Sequence, residues 1–123
     1  MKIKHTFCWV DIPVTDLDRA IQFYSKVLNE SVEKVAEMGF NFGLLPHEHE
    51  NVSGCLSPMD DRKPSQHGPL VYLNVEGRLD KAIATATTHG GKLLRAKEQL
   101  GPYGNRAIIL DTEGNAIALY SKD

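Results

Sequence analysis

A chain of 123 residues, 41% hydrophobic and 24% charged, has the size and make-up of one globular domain, one that buries roughly two-thirds of the surface its unfolded form exposes. Its net charge of −2, with Lys and Arg scattered along the chain, leaves no basic stripe and sets nucleic acid aside. No apolar run approaches the roughly 20 residues of a membrane span, Asp11 breaks the N-terminal run too early for a signal peptide, and two cysteines make no disulfide framework. A cytoplasmic protein is expected, with Cys8 and Cys55 reduced and packed as small hydrophobes.

In chain order, Phe7 to Val14 is rich in β-favouring residues and predicts a first strand. Thr15, with Asp18 three residues on, reads as the N-cap of a helix whose apolar face is Leu17, Ala20, Ile21, Tyr24, Val27 and Leu28. Strands are predicted over Ser31 to Val35, Gly39 to Leu45 and Val52 to Leu56, and Ser57 to Pro69 reads as a connector. The plan then repeats. Strand Leu70 to Val75 leads to a helix from Leu79 to His89, with Leu79, Ala82, Ile83 and Ala86 on one face and Gly90-Gly91 as its stop. Strands follow at Lys92 to Ala96, Arg106 to Leu110 and Ala116 to Tyr120, the last two joined by a Glu113-Gly114-Asn115 turn. Leu17-Asp18-Arg19-Ala20-Ile21 returns as Leu79-Asp80-Lys81-Ala82-Ile83, so the chain holds two copies of one supersecondary unit.

The expected fold class is therefore α+β: two βαβββ modules, about 1–62 and 66–123 of a single domain at 1–123, forming a curved, cup-like mixed sheet with the helices on its outer face. Pro13-Val14-Thr15-Asp16-Leu17-Asp18-Arg19-Ala20-Ile21-Gln22-Phe23-Tyr24 and Asp111-Thr112-Glu113-Gly114-Asn115-Ala116-Ile117-Ala118-Leu119-Tyr120 resemble the vicinal oxygen chelate superfamily, which includes glyoxalase I, bleomycin-resistance proteins, fosfomycin-resistance enzymes and extradiol dioxygenases. Ile12 to Asp16, Val52 to Gly54 and Val71 to Asn74 resemble its glyoxalase-related branch. The resemblance implies a divalent metal in the cup, held by His or Glu on the first and last strand of each module. At those positions this chain has Trp9, Leu70 and Ala118, with Cys55 as the one possible donor on the strand carrying the fourth. One thiolate is not a metal site, so neither a metal nor another cofactor is expected.

Strand alternation places Phe7, Trp9 and Asp11 on the cup face of the first strand, Leu70, Tyr72 and Asn74 on its counterpart, and Ala116, Ala118 and Tyr120 on the last. An apolar wall with sparse polar groups is the make-up of a small-molecule pocket. Trp9, Asp11, Leu70, Tyr72, Asn74, Ala118 and Tyr120 are the candidate ligand-binding residues. A buried carboxylate needs a partner, so Asp11 contacts ligand, acts as a base or pairs with a neighbour such as Arg106. The expected function is metal-free binding of a small hydrophobic or aromatic molecule by a homodimer, as the resemblance to bleomycin-resistance proteins implies. The alternatives are a glyoxalase-type lyase or isomerase using Asp11 and a tyrosine, or a metal held outside the family positions by His47 and His49 of the His47-Glu48-His49-Glu50 tract.

Overall fold

The computed structural model describes residues 5–49 and 51–123. Its elements run β1 (Trp9–Val14), α1 (Leu17–Leu28), β2 (Glu33–Val35), β3 (Phe42–Leu44), β4 (Ser53–Pro58), β5 (Val71–Asn74), α2 (Leu79–Thr88), β6 (Lys92–Gln99), β7 (Asn105–Leu110) and β8 (Ala116–Ser121). A single 3-10 turn, Gly101–Tyr103, joins β6 to β7. This is βαβββ twice, an α+β fold. The strands form two four-stranded sheets, ordered β1-β4-β3-β2 and β5-β8-β7-β6. In each, the first strand lies parallel to the last and the remaining neighbours are antiparallel.

Alternation along the strands decides which side is core. Ile12 and Val14 of β1, Leu56 of β4, Ile109 of β7 and Ile117 and Leu119 of β8 turn towards the helices and are buried, whereas Trp9 and Asp11 turn away and are exposed. Helix α1 buries Leu17, Ala20, Tyr24 and Val27 as its spacing predicts, and also Phe23. Phe23 lies off the predicted stripe because the second module covers that side: a Cβ at Gly91 would stand 3.0 Å from its ring. One hydrophobic cluster joins both modules.

The joint between modules is the turn after β7. Asp111 is buried, and its Oδ1 accepts the backbone N–H groups of Glu113, Gly114 and Asn115 at 2.8 Å each. Its Oδ2 accepts from Tyr24 Oη at 2.5 Å and from Asn115 Nδ2, which also donates to the Pro13 carbonyl. Burial first, then the charge of Asp111, pushes the Tyr24 hydroxyl well above its ordinary value. Glu113, its side chain fully buried, accepts from the N–H groups of Thr15 and Asp16 at 2.9 and 2.7 Å and pairs with Arg19 at 2.7 Å. Burial opposes the Glu113 charge, but Arg19 and the N–H groups of Asp16 and Thr15 outweigh it and hold the carboxyl below its ordinary value. The free N–H groups that open a helix are thus met from the other module.

Several expectations change. The N-cap of α1 is Asp16 and not Thr15: the Asp16 side chain accepts from the Arg19 N–H, three residues on, at 3.1 Å. Strand β1 starts at Trp9, so Phe7 and Cys8 precede it, and Cys8 is exposed instead of packed. Strand β6 extends to Gln99 with two register shifts. The extension beyond the predicted Lys92 to Ala96 is masked by composition, since Lys97 and Glu98 continue the charged decoration of an exposed edge strand, where charge blocks unwanted pairing. Of the turn residues, Gly114 takes φ 105°, while Asn115 contributes through its side chain. No helix among the described residues is long and apolar enough to cross a membrane.

Candidate functional site

Strand register makes the cup a two-fold repeat. Asp11 lies opposite Cys55 in the first sheet as Tyr72 lies opposite Ala118 in the second. On the next strand, Leu44 lies opposite Cys55 as Ile108 lies opposite Ala118. Positions 11 and 72, 55 and 118, and 44 and 108 are the same places in the two copies.

In the first half Asp11 is not paired with Arg106. Its Oδ1 accepts from Trp9 Nε1 at 2.9 Å and from the Cys55 thiol at 3.3 Å, both reached along its own sheet. Burial, reinforced by the hydrogen bond to Asp11, pushes the Cys55 thiol up to about 11. The thiol is therefore protonated at neutral pH and serves as a donor that positions the carboxylate. Trp9 remains 43% exposed on this face.

The second half is built on Arg106, which the sequence did not single out as a site residue. Arg106 Nη1 donates to Tyr72 Oη, Nη2 donates to Glu98 at 3.2 Å, and the guanidinium carbon lies 5.8 Å from the Tyr72 ring centroid. Arg95 also pairs with Glu98, at 3.2 Å. Tyr72 meets Tyr120 edge-on with ring centres 6.4 Å apart, and Tyr120 Oη donates to the Tyr103 carbonyl at 2.5 Å. The two tyrosines therefore differ: the Tyr120 proton is used within the fold, whereas Tyr72 receives a hydrogen bond and keeps its own proton to give. Alternation along β7 could have placed Arg106 on the cup face; its partners follow only from the β6, β7 and β8 register.

Cys55 is the repeat counterpart of Ala118, so the four donor positions implied by the resemblance are Trp9, Cys55, Leu70 and Ala118. An indole and two hydrocarbon side chains offer no lone pair to a divalent ion, and the thiol has its pKa moved away from the thiolate that metals bind. Among the described residues no group of three or more His, Cys, Asp or Glu converges. This donor set does not fit the family's metal. His47 and His49 are exposed, His47 Nδ1 lies 3.1 Å from the Leu45 carbonyl oxygen, and Glu50 of the same tract lies outside the described residues.

Two cavities, of about 400 and 310 Å³, open along the seam between β1 and β5, and Val10, Ile12 and Val71 line both. Asp11 lines the larger, with Ala116, Ile117 and the connector residues Arg62 and Lys63. Tyr72 and Asn74 line the smaller, with Leu28, Leu45 and Leu73. The structure thus brings Asp11 to one side of the seam and Tyr72 and Asn74 to the other. Trp9 and Tyr120 stand on the cup face beside them, and Leu70 precedes β5. Ala118, opposite Tyr72 and Ile108 in the sheet, is fully buried and presents no surface, which corrects its selection as a contact residue.

The chain matches the family model described as Glyoxalase/Bleomycin resistance protein/Dioxygenase superfamily over residues 2–119. A glyoxylase-like domain-containing protein of Didymella fabae is 28% identical over 124 residues, which cover 92% of this chain and 91% of that protein. Among solved structures, a glyoxalase/bleomycin resistance protein from Albidiferax ferrireducens superposes with a TM-score of 0.72 at 18% identity, covering 97% of this chain and 100% of the other. The fosfomycin resistance protein FosX from Listeria monocytogenes gives 0.66 at 13% identity, covering 100% and 96%. At these identities the structural likeness shows the fold alone.

Proposed function

The chain belongs to the glyoxalase/bleomycin resistance protein/dioxygenase superfamily, and on that premise we propose that it binds a small, hydrophobic or aromatic molecule along the β1–β5 seam of its cup without the family's metal donors. The observation that carries this reading is the pairing of apolar walls with two separately anchored polar groups. Val10, Ile12 and Val71 line the seam from the helix-facing side of β1 and β5, and Asp11 and Tyr72 reach it from the cup-facing side. Asp11 is fixed by Trp9 and Cys55, and Tyr72 by Arg106. Groups held in place before a ligand arrives lose little freedom when it binds. Trp9 and Tyr72, 43% and 45% exposed, give flat surfaces for an aromatic body.

The catalytic alternative, proton transfer by Asp11 with a tyrosine, gains less from the geometry. Asp11 already accepts two hydrogen bonds on one oxygen, and the Tyr120 proton is committed to Tyr103. We place the binding form as a homodimer, in which a second copy would cover exposed apolar side chains such as Met38 and Phe40. The two free cysteines accord with a reducing, cytoplasmic setting.

The test is a thermal-shift screen of chelator-treated protein against small aromatic and aliphatic compounds, with light scattering on the same sample. Saturable stabilisation by members of the panel and a particle of twice the 13.7 kDa chain mass are expected. Stabilisation that appears only after a divalent metal is restored would overturn the metal-free reading, and a 13.7 kDa particle would overturn the dimer.

A further inference from the structure

We infer that the ligand carries a carboxylate or an equivalent oxyanion, received by the Tyr72 hydroxyl with Arg106 as its positioning residue. The inference rests on the small-molecule reading above and adds the ligand's polar chemistry. Two guanidinium groups, Arg95 and Arg106, share one carboxylate, Glu98. That leaves a surplus positive charge on the cup face of the second module.

The hydrogen bonds point the same way. Arg106 has no acceptor atom, so its bond to Tyr72 must use the phenol oxygen as acceptor. The Tyr72 proton is then directed elsewhere, from a side chain that is 45% exposed and lines the seam cavity. A phenol that accepts from a cation is a stronger donor, because the two bonds polarise one another. Asn74, on the same cavity, has its Oδ1 taken by the Glu76 N–H at 2.9 Å, which leaves its amide NH2 as the free end. Arg106 Nε is buried with no hydrogen-bond partner among the described residues, so the guanidinium charge beside Tyr72 is not fully engaged within the fold. Tyr72 and Asn74 both present donors here, and among the described residues Glu30, exposed at the edge of the same cavity, is its one carboxylate. A neutral hydrocarbon would leave the two donors unanswered, whereas an oxyanion accepts from both at once.

Arg106 is mostly covered, with its side chain 20% exposed. It therefore acts through Tyr72, by holding the hydroxyl and supplying charge, while Tyr72 makes the contact.

The test compares two probes of one shape, 4-phenylbutanoate and 4-phenylbutan-1-ol, titrated into the full-length protein by calorimetry. Wild type is expected to favour the carboxylate at least tenfold. Tyr72→Phe removes one oxygen from an exposed ring and is expected to reduce that ratio to about threefold or less, because the charged acceptor loses more than the alcohol. Arg106→Gln should do the same, and Tyr72→Phe keeps the inference falsifiable if Arg106→Gln does not fold. The ratio between probes is a quantity that loss of packing alone would not move. Equal binding of the two probes by wild type, or an undiminished ratio in Tyr72→Phe, would overturn the anion assignment and spare the small-molecule reading. If neither probe binds, the small-molecule reading falls, and the assignment with it.

Discussion

Where the first sheet of the repeat holds Asp11, the second holds Tyr72, and where the first holds Cys55, the second holds Ala118. The backbone register is the same, yet one half ends in a carboxylate over a protonated thiol and the other in a phenol fed by a guanidinium. The positions facing the helices are apolar in both halves: Val10 and Val71, Ile12 and Leu73, Val14 and Val75. Burial constrains those residues, because a polar group there costs free energy unless it is hydrogen-bonded. Asp11 and Tyr72, exposed on the cup face, escape that constraint, and repeat symmetry is lost there. The same contrast separates the loops. The connection from β7 to β8 is anchored by the buried Asp111 and Asn115 and caps α1, whereas its counterpart from β3 to β4 carries the exposed His47 and His49.

The largest expected effect breaks the joint that makes the two halves unequal. Asp111→Ala strands three backbone N–H groups and the Tyr24 hydroxyl, and should cost about 4 kcal/mol in denaturant unfolding. The double substitution His47→Ala/His49→Ala on the equivalent loop should stay within about 0.5 kcal/mol. Comparable losses in the two proteins would mean that the connections are not as different as their burial indicates.

The legibility of the sequence followed the same division. Residues under burial left a periodic record, so both helices, the duplicated plan and the helix-facing side of each strand could be read from spacing. The strand boundaries were less clear at Phe7 and along β6, where exposed residues carry no alternation. Within the candidate site, Trp9, Asp11, Tyr72, Asn74 and Tyr120 follow from alternation along a single strand. The Cys55 bond to Asp11, the Arg106 bond to Tyr72 and the Glu113 cap on α1 join residues 44, 34 and about a hundred positions apart. They depend on which strands become neighbours and in what register, and no local pattern in the chain records that. The Arg106 partnership, one of the alternatives for Asp11, does not form for this reason, since the two side chains belong to different sheets.

A smaller effect sharpens the contrast between the capped and uncapped helices, since α2 has no side-chain cap at its first residue. Glu113→Gln should cost about 2 kcal/mol at pH 7, the loss of an ion pair to Arg19 and of charge-assisted bonds to two N–H groups. The Glu113 carboxyl lies below the ordinary glutamate value of 4.5 in the folded state. Its contribution is therefore fully present above pH 4.5 and is lost as the pH falls from there through the folded-state value. Melting temperature measured from pH 7 down to pH 3 should fall less steeply in Glu113→Gln than in wild type. Parallel curves would remove Glu113 as the source of acid sensitivity.

The smallest structural perturbation tests the central claim most directly. Trp9 is the one tryptophan in the chain and stands on the cup face, with its indole N–H on Asp11. Its fluorescence should change saturably when chelator-treated protein is titrated with an aromatic compound from the thermal-shift panel, and adding a divalent metal should leave the affinity unchanged. A binding curve that moves Trp9 only when metal is present would contradict the account, because it would require donors that Trp9, Cys55, Leu70 and Ala118 do not supply.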